Sequence, residues 1–172
     1  MRKVAILGPE STGKSALCKA LSEHYPNAVA VPEYARTYLE KNGPGYNIDT
    51  LDIIALEQFN QIQHAIARKP QWVFADTEMI VMKIWSEFVF AKVSEKIMEC
   101  VAKQEFDLYL LCDIDLDWEE DILREHPDKR DTLFALYVSE LNLRQLHYRV
   151  VCGQGENRVK NAIEAIEDFF GN

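Results

Sequence analysis

The sequence has few basic residues and no long apolar run. It carries 19 Lys and Arg against 28 Asp and Glu, so its formal net charge is −9. Nucleic acids and anionic membrane surfaces attract proteins with clustered Lys and Arg, and we therefore expect neither as a partner. We expect no transmembrane helix, because no apolar run reaches the roughly 18 residues that a span needs. The apolar stretch at residues 4–7 is too short for a signal peptide.

Cysteine is also scarce, and its spacing does not suggest a metal site. The chain contains Cys18, Cys100, Cys112 and Cys152, with no C-x-x-C pair and no His at the spacing of a zinc ligand. Three of the four lie in apolar runs. We therefore expect reduced, buried cysteines in a cytoplasmic protein.

The composition indicates one globular domain. Hydrophobic residues make up 48% of the 172 residues and charged residues 27%, which is ordinary for a folded domain. At roughly 150 residues per domain, this length predicts a single domain over residues 1–172. The oligomeric state does not follow from the sequence.

Short apolar runs alternate with helical patterns along the chain. Five runs read as buried strands, at residues 4–7, 28–31, 72–75, 108–112 and 148–152. Two long segments have an inward face at helical spacing. One face comprises Leu51, Ile54, Ala55, Gln58, Ile62 and Ala65, and the other Val159, Ala162, Ile163, Ile166 and Phe170. This alternation predicts an α/β fold: a parallel sheet of about five strands with helices on both faces, forming a three-layer sandwich.

A phosphate-binding loop follows the first predicted strand. Residues 8–15 read GPESTGKS and match the pattern G-x-x-x-x-G-K-[ST]. Main-chain N–H groups in such a loop, together with the start of the next helix, bind phosphate. We expect Lys14 to reach the β- and γ-phosphates of ATP and Ser15 to bind Mg²⁺. The predicted nucleotide-binding residues of this region are Gly8, Glu10, Ser11, Thr12, Gly13, Lys14, Ser15 and Ala16.

A nucleotide site of this kind needs an acid at the end of a neighbouring strand. Asp76 ends the third predicted strand, so we expect it to lie near Mg²⁺, with a helix cap as the alternative role. Asp113, which ends the fourth predicted strand, competes with Asp76 for this position. Glu78 follows two residues after Asp76 as a second acid.

The second predicted strand leads into Pro-Glu-Tyr-Ala-Arg at residues 32–36. Glu33 would project at the same sheet edge, where a carboxylate can orient or deprotonate a substrate hydroxyl. Arg36 comes one helical turn later and could meet the transferred phosphoryl group. The alternative is a surface ion pair between the two residues.

Basic residues late in the chain predict a lid over residues 118–131. Arg124, Lys129 and Arg130 flank Pro127, which interrupts any continuous helix. A segment of this kind can close over phosphates, neutralise their charge and exclude water; a solvated charge run is the alternative. Farther on, Arg158 follows a glycine-containing loop and could stack on adenine, or simply begin a helix.

Together these segments resemble a known family of P-loop, AAA/ATPase-like nucleoside kinases. The sequence is similar to the ribosylnicotinamide kinase domain of NadR-type NAD-biosynthesis proteins. The resemblance rests on four segments that span nearly the whole chain: GPESTGKS at 8–15, PEYAR at 32–36, DTE at 76–78 with KIW at 83–85, and Trp118 with the late arginines. It implies ATP-dependent phosphorylation of nicotinamide riboside to nicotinamide mononucleotide.

The motifs and the resemblance together give the residues expected to serve the reaction, with either Glu33 or Asp76 orienting the ribose 5′-hydroxyl. The catalytic set would be Lys14, Glu33, Asp76, Arg124 and Arg130, with ATP and Mg²⁺ as cofactors and Ser15 and Asp76 at the metal. The substrate-binding set would be Glu33, Tyr34, Arg36, Asp76, Glu78 and Trp85. Tyr34, Trp85 and Phe88 could hold the pyridinium ring, since a cation favours π faces; core packing is their alternative role.

The chain departs from the family pattern in a few places. We expect no DNA-binding or adenylyltransferase module of the kind that accompanies this domain, because 172 residues leave no room for one. The lid lacks the usual Gly before Leu123 and Arg124, and Glu78 stands where Asp is more usual. These differences bear on the acceptor substrate more than on phosphoryl transfer. The alternatives are another nucleoside or a small metabolite as the acceptor, or a regulatory ATP-binding module. The N-K-x-D loop that guanine-specific GTPases use is absent from the sequence.

Overall fold

The computed structural model describes residues 1–121 and 124–171. Five strands form one sheet: β1 (Arg2–Leu7), β2 (Ala28–Val31), β3 (Trp72–Asp76), β4 (Leu108–Cys112) and β5 (Tyr148–Val151). All neighbouring strands are parallel, in the order β2-β3-β1-β4-β5. Seven α-helices accompany them in the described part of the chain: α1 (Lys14–His24), α2 (Tyr34–Asn42), α3 (Ile48–Ala67), α4 (Met79–Phe90), α5 (Glu95–Lys103), α6 (Arg130–Leu143) and α7 (Glu156–Phe170).

Helices cover both faces of the sheet, because alternate strand residues point to opposite sides. Val4 and Ile6 pack with α1 and α7, whereas Ala5 and Leu7 pack with α4 and α6. The inner residues of α3 contact β2 and β3, and a further apolar cluster joins α2, α3, α4 and α5. The predicted three-layer α/β P-loop fold is confirmed.

The predicted strands agree closely with the observed ones. The second and fourth predicted strands have the observed bounds, and the third extends by one residue to include Asp76. The first strand begins two residues earlier than predicted, and the fifth ends one residue earlier. The six residues of the predicted inner face of α3, Gln58 among them, are all buried. Cysteine burial is confirmed for Cys18, Cys100 and Cys112 but not for Cys152, which is exposed just beyond the end of β5.

The carboxyl ends of the strands place the sequence motifs at one edge of the sheet. The phosphate loop follows β1, the central strand, and Asp76 lies opposite Ile6 in the neighbouring strand β3. Residues 32–33 follow β2, and the segment 113–126 follows β4. Within the described residues, no helix has both the length and the apolar character needed to cross a membrane.

Candidate active site

Two glycines allow the phosphate loop to take its path. Gly8 has φ 144°, and a Cβ there would lie 2.9 Å from the carbonyl oxygen of Cys112 in β4. Gly13 has φ 74° and caps the start of α1. Both backbone conformations are costly for other residues. The loop can therefore turn tightly between β1 and α1, where the helix start favours an anion.

A cavity of about 660 Å³ opens above this loop. It extends from the loop to the start of α2, to α4 and to the predicted lid. Thirteen of the predicted site residues line it: Gly8, Glu10, Ser11, Thr12, Gly13, Lys14, Ser15, Ala16, Glu33, Arg36, Trp85, Phe88 and Arg124. The phosphate loop, the α2 motif and one lid arginine therefore share a single cavity.

Asp76 lies behind the loop and not on the cavity wall. Its side chain is buried, and burial raises the pKa of the carboxyl group, while Lys14, a hydrogen bond with Ser15 and Arg36 lower it. Its Oδ1 atom is buried and has no hydrogen-bond partner among the described residues. The rival acid, Asp113, accepts a hydrogen bond from the amide of Ile114, at 2.8 Å.

Lys14 and Glu33 both line the cavity. In this structure the Lys14 ammonium donates to the Pro9 carbonyl oxygen at 2.8 Å, within its own loop. Burial raises the pKa of Glu33, and the charges of Asp76 and Glu10 raise it further, whereas Lys14 and Arg36 lower it. Groups of both signs thus converge where a phosphate and a hydroxyl could meet.

The predicted lid segment lies against the phosphate loop. The Glu10 carboxylate accepts hydrogen bonds from the main-chain N–H groups of Glu125 and His126, at 3.2 and 3.0 Å. The Ser11 hydroxyl exchanges hydrogen bonds with the main chain of Glu119, at 3.2 and 3.3 Å. Arg36 forms a 3.1 Å ion pair with Asp121. Two residues within this predicted lid, Ile122 and Leu123, lie outside the described residues.

The late arginines differ in their surroundings. Arg124 lines the cavity and donates to the carbonyl oxygen of Glu119 at 2.6 Å. Arg130 does not line it; its Nη2 donates to the carbonyl oxygens of Ile114 and Leu116, at 3.1 and 2.7 Å, and its Nε is buried without a partner. Of this pair, only Arg124 lies where it could meet a bound phosphate.

Arg158 is buried and holds loops together. It donates to the carbonyl oxygens of Val151, Gly153 and Asp113, and it pairs with the carboxylate of Asp115. It is not among the cavity-lining residues. This placement differs from the adenine stacking expected from the sequence, because the guanidinium already has protein partners.

Glu78 and Tyr34 also lie away from the cavity wall. Glu78 is fully buried and caps α4 by accepting from the main-chain N–H groups of Ile80 and Val81. Tyr34 packs against Tyr38, with a ring separation of 6.2 Å. The sequence predicted that both residues contact substrate. In the structure, Glu78 instead caps α4 and Tyr34 packs within α2.

The cavity wall includes residues that the sequence analysis did not identify. The Tyr46 hydroxyl donates to Glu125 at 2.5 Å and accepts from the Trp85 indole N–H at 3.1 Å. His126 packs edge-on against Phe88 with a ring separation of 5.1 Å, and Tyr137 of α6 also lines the cavity. The only local signal for Tyr46 was its place after the Gly-Pro-Gly loop at residues 43–45.

Comparison with known proteins identifies relatives of this chain. A family model described as an AAA domain matches residues 3–158. The "Trifunctional NAD biosynthesis/regulator protein NadR" of Salmonella typhimurium is 25% identical over 180 residues. The protein of the same name from Escherichia coli is 29% identical over 178 residues. Each alignment covers 99% of this chain but only 43% of the relative, so the chain spans less than half the length of these curated relatives.

Solved structures share the fold at low identity. A NadR protein in complex with NR superposes with a TM-score of 0.83 at 21% identity, covering 99% of this chain and 51% of that one. Thymidylate kinase from Ehrlichia chaffeensis gives 0.70 at 13% identity, covering 97% of both chains. Together with the family match, these relatives confirm the resemblance seen in the sequence motifs.

Proposed function

Because the chain belongs to the AAA domain family of P-loop proteins, we propose that it is an ATP-dependent kinase of nicotinamide riboside. The reaction would transfer the γ-phosphoryl group of ATP to the ribose 5′-hydroxyl oxygen. The bond to ADP breaks, a new P–O bond forms, and the hydroxyl proton leaves to a base. The products are ADP and nicotinamide mononucleotide.

One observation carries the proposal: a single cavity contains both the phosphate loop and Glu33. Phosphoryl transfer needs donor and acceptor in line, with their charge neutralised and water kept out. The loop supplies main-chain N–H groups and Lys14 for the phosphates. Arg124, on the lid side, adds a positive charge at the same cavity.

Glu33 is the carboxylate best suited to the acceptor hydroxyl. It lines the cavity, whereas Asp76 does not. The charge of Lys14 acts on Glu33. A hydroxyl held by Glu33 would therefore lie close to Lys14, which we expect to bind the phosphates. We assign Glu33 the role of orienting that hydroxyl and accepting its proton.

Ser15 and Asp76 fit the Mg²⁺ that accompanies ATP. The Oδ1 atom of Asp76 is buried and unpartnered, and the Ser15 hydroxyl lies beside this carboxylate. Mg²⁺ prefers such oxygen donors and usually takes its remaining ligands from water and phosphate. When bound, the ion would neutralise phosphate charge.

The aromatic part of the cavity wall supports a cationic, ring-containing acceptor. Tyr46, Trp85 and Phe88 bring aromatic side chains there, and Glu125 adds a carboxylate. A pyridinium ring is attracted to aromatic faces and to negative charge. The solved NadR complex with NR supports the same acceptor. A neutral nucleoside would gain less from these groups.

The test is an ADP-release assay with ATP and a panel of nucleosides. Nicotinamide riboside should exceed uridine and cytidine in kcat/KM by about tenfold or more, which corresponds to roughly 1.4 kcal/mol of transition-state binding. Lys14→Ala should abolish turnover, while Lys19→Ala, an exposed change on the same helix, should not. Equal use of a pyrimidine nucleoside would refute the acceptor but leave a kinase.

A regulatory ATP-binding module is the second possibility, since the lid already contacts the loop. It would bind ATP without transferring phosphate to any nucleoside in the panel. ATP binding measured by calorimetry, together with no ADP release, would favour it over the kinase.

A further inference from the structure

Gln58 is a buried amide in the middle of an otherwise apolar helix face. Its neighbours on the inner face of α3 are the apolar residues Ile54, Ala55 and Ile62. Gln58 is polar but is as deeply buried as they are, with only 1% of its surface exposed. A buried amide is costly unless its hydrogen-bonding groups are satisfied. The contacts of Gln58 therefore indicate what it does.

Both ends of the Gln58 amide bind main chain. Its Oε1 accepts from the Tyr34 N–H at 2.7 Å, and its Nε2 donates to the carbonyl oxygens of Pro32 and Thr77, each at 3.3 Å. Pro32 and Tyr34 are the residues on either side of Glu33. Thr77 directly follows Asp76. One side chain thus joins the chain around Glu33 to the chain just after Asp76.

Thr77 needs such support because its backbone is strained. It is a β-branched residue with φ 74°, a conformation that L residues with branched side chains rarely adopt. Its hydroxyl group is buried without a hydrogen-bond partner. Strained residues persist only where the surroundings hold them. Here its N–H donates to Ile6 in β1 at 3.0 Å, and its carbonyl accepts from Gln58.

We infer that Gln58 is a positioning residue that holds Glu33 and Asp76 at the separation required for phosphoryl transfer. It is not among the cavity-lining residues, so it acts through the main chain of Pro32, Tyr34 and Thr77 and not by touching substrate. The inference rests on the proposed function, because it assigns Gln58 a role in the phosphoryl transfer proposed there.

The test compares Gln58→Leu and Gln58→Met with Gln61→Leu on the same helix. In the described part of the chain, the Gln61 amide bonds only the side chain of Glu57, one turn away, at 3.2 Å. The Gln58 variants should lower kcat by about tenfold or more, because small misplacements of reacting groups are costly to rate. The KM values for ATP and nucleoside should stay within about twofold, because the substitution replaces no side chain that lines the cavity. Gln61→Leu should match the wild type.

Thr77→Gly provides the rescue. Glycine adopts a φ of 74° readily, so in the Gln58→Leu background it should restore part of the lost kcat. Circular dichroism and melting curves identify the folded variants, and rates are compared well below each melting temperature. Gln58→Met, close to Gln in length, serves if Gln58→Leu does not fold.

Four results would overturn the inference. One is a lower melting temperature with unchanged kcat, which marks a purely structural residue. Another is a rise in the nucleoside KM alone, which marks a substrate contact. The third is a wild-type protein that phosphorylates no nucleoside, in which case the proposed function fails as well. If the wild type is active and the Gln58 variants equal it, only the inference fails.

Discussion

Glu33 depends on charged residues from several parts of the chain. Lys14 and Arg36 stabilise its carboxylate, whereas burial, Asp76 and Glu10 oppose ionisation and leave its pKa raised. In its proposed role as the base, Glu33 must be deprotonated. Activity should therefore fall as the pH drops through this raised pKa, at a higher pH than an exposed glutamate would give.

Glu33→Gln removes that base while keeping its size. We expect kcat to fall by roughly 10²- to 10⁴-fold and the acidic limb of the pH profile to disappear, with the KM for ATP little changed. The control is Glu40→Gln, which removes another partner of Arg36, 3.6 Å away on the same helix. An unchanged kcat in Glu33→Gln would show that Glu33 is not the base.

At the scale of elements, the segment after β4 and the loop after β1 form one contact surface. Glu10 belongs to the phosphate loop, yet its carboxylate accepts two consecutive main-chain N–H groups of the predicted lid. Tyr46, which follows α2, bonds Glu125 in the same segment. These contacts link the phosphate loop to the predicted lid segment.

Glu10→Ala should loosen this link. Hydrogen bonds to a charged group contribute about 1.5–3 kcal/mol each, so amide exchange at Glu125 and His126 should speed up by about tenfold or more. Hydrogen–deuterium exchange with mass spectrometry measures this directly, without substrate. Glu23→Ala, an exposed change on α1, is the control. Equal exchange in wild type and Glu10→Ala would mean that Glu10 does not hold the lid.

At the scale of the whole molecule, Glu78 couples folding to pH. It is fully buried between the start of α4 and the end of α5, where it contacts Gln104. Burial raises its pKa from 4.5 to about 7, although hydrogen bonds from Ile80, Gln104 and Val81 oppose the shift. The folded state therefore holds a proton that the unfolded chain releases near pH 4.5.

The free energy of unfolding should fall as the pH rises through this range. The contribution of Glu78 is fully present below about pH 4.5 and lost above about pH 7, on the order of 3 kcal/mol in total. Glu78→Gln cannot ionise, so its unfolding free energy should vary less with pH. Urea unfolding at about pH 5 and about pH 8 tests this. Glu95→Gln, at an exposed position in α5, should keep the wild-type pH dependence.

The sequence by itself determined the features that depend on residues close to one another along the chain. The phosphate loop, the five strands and the inner face of α3 follow from local spacing, because helices and strands have short periods. Parallel pairing then brings Lys14, Glu33 and Asp76 to one sheet edge, as the strand ends predicted. Their roles in catalysis stay a proposal.

Only the tertiary structure decided which of the other side chains reach the cavity. Tyr46 and Glu125 meet across 79 positions, and Glu10 and His126 across 116. No local pattern encodes such pairs. Arg158 and Glu78 were plausible ligands by residue type, but the fold gives their polar groups protein partners instead. A buried charged group must find partners wherever packing places it, so its role follows from contacts distant in sequence.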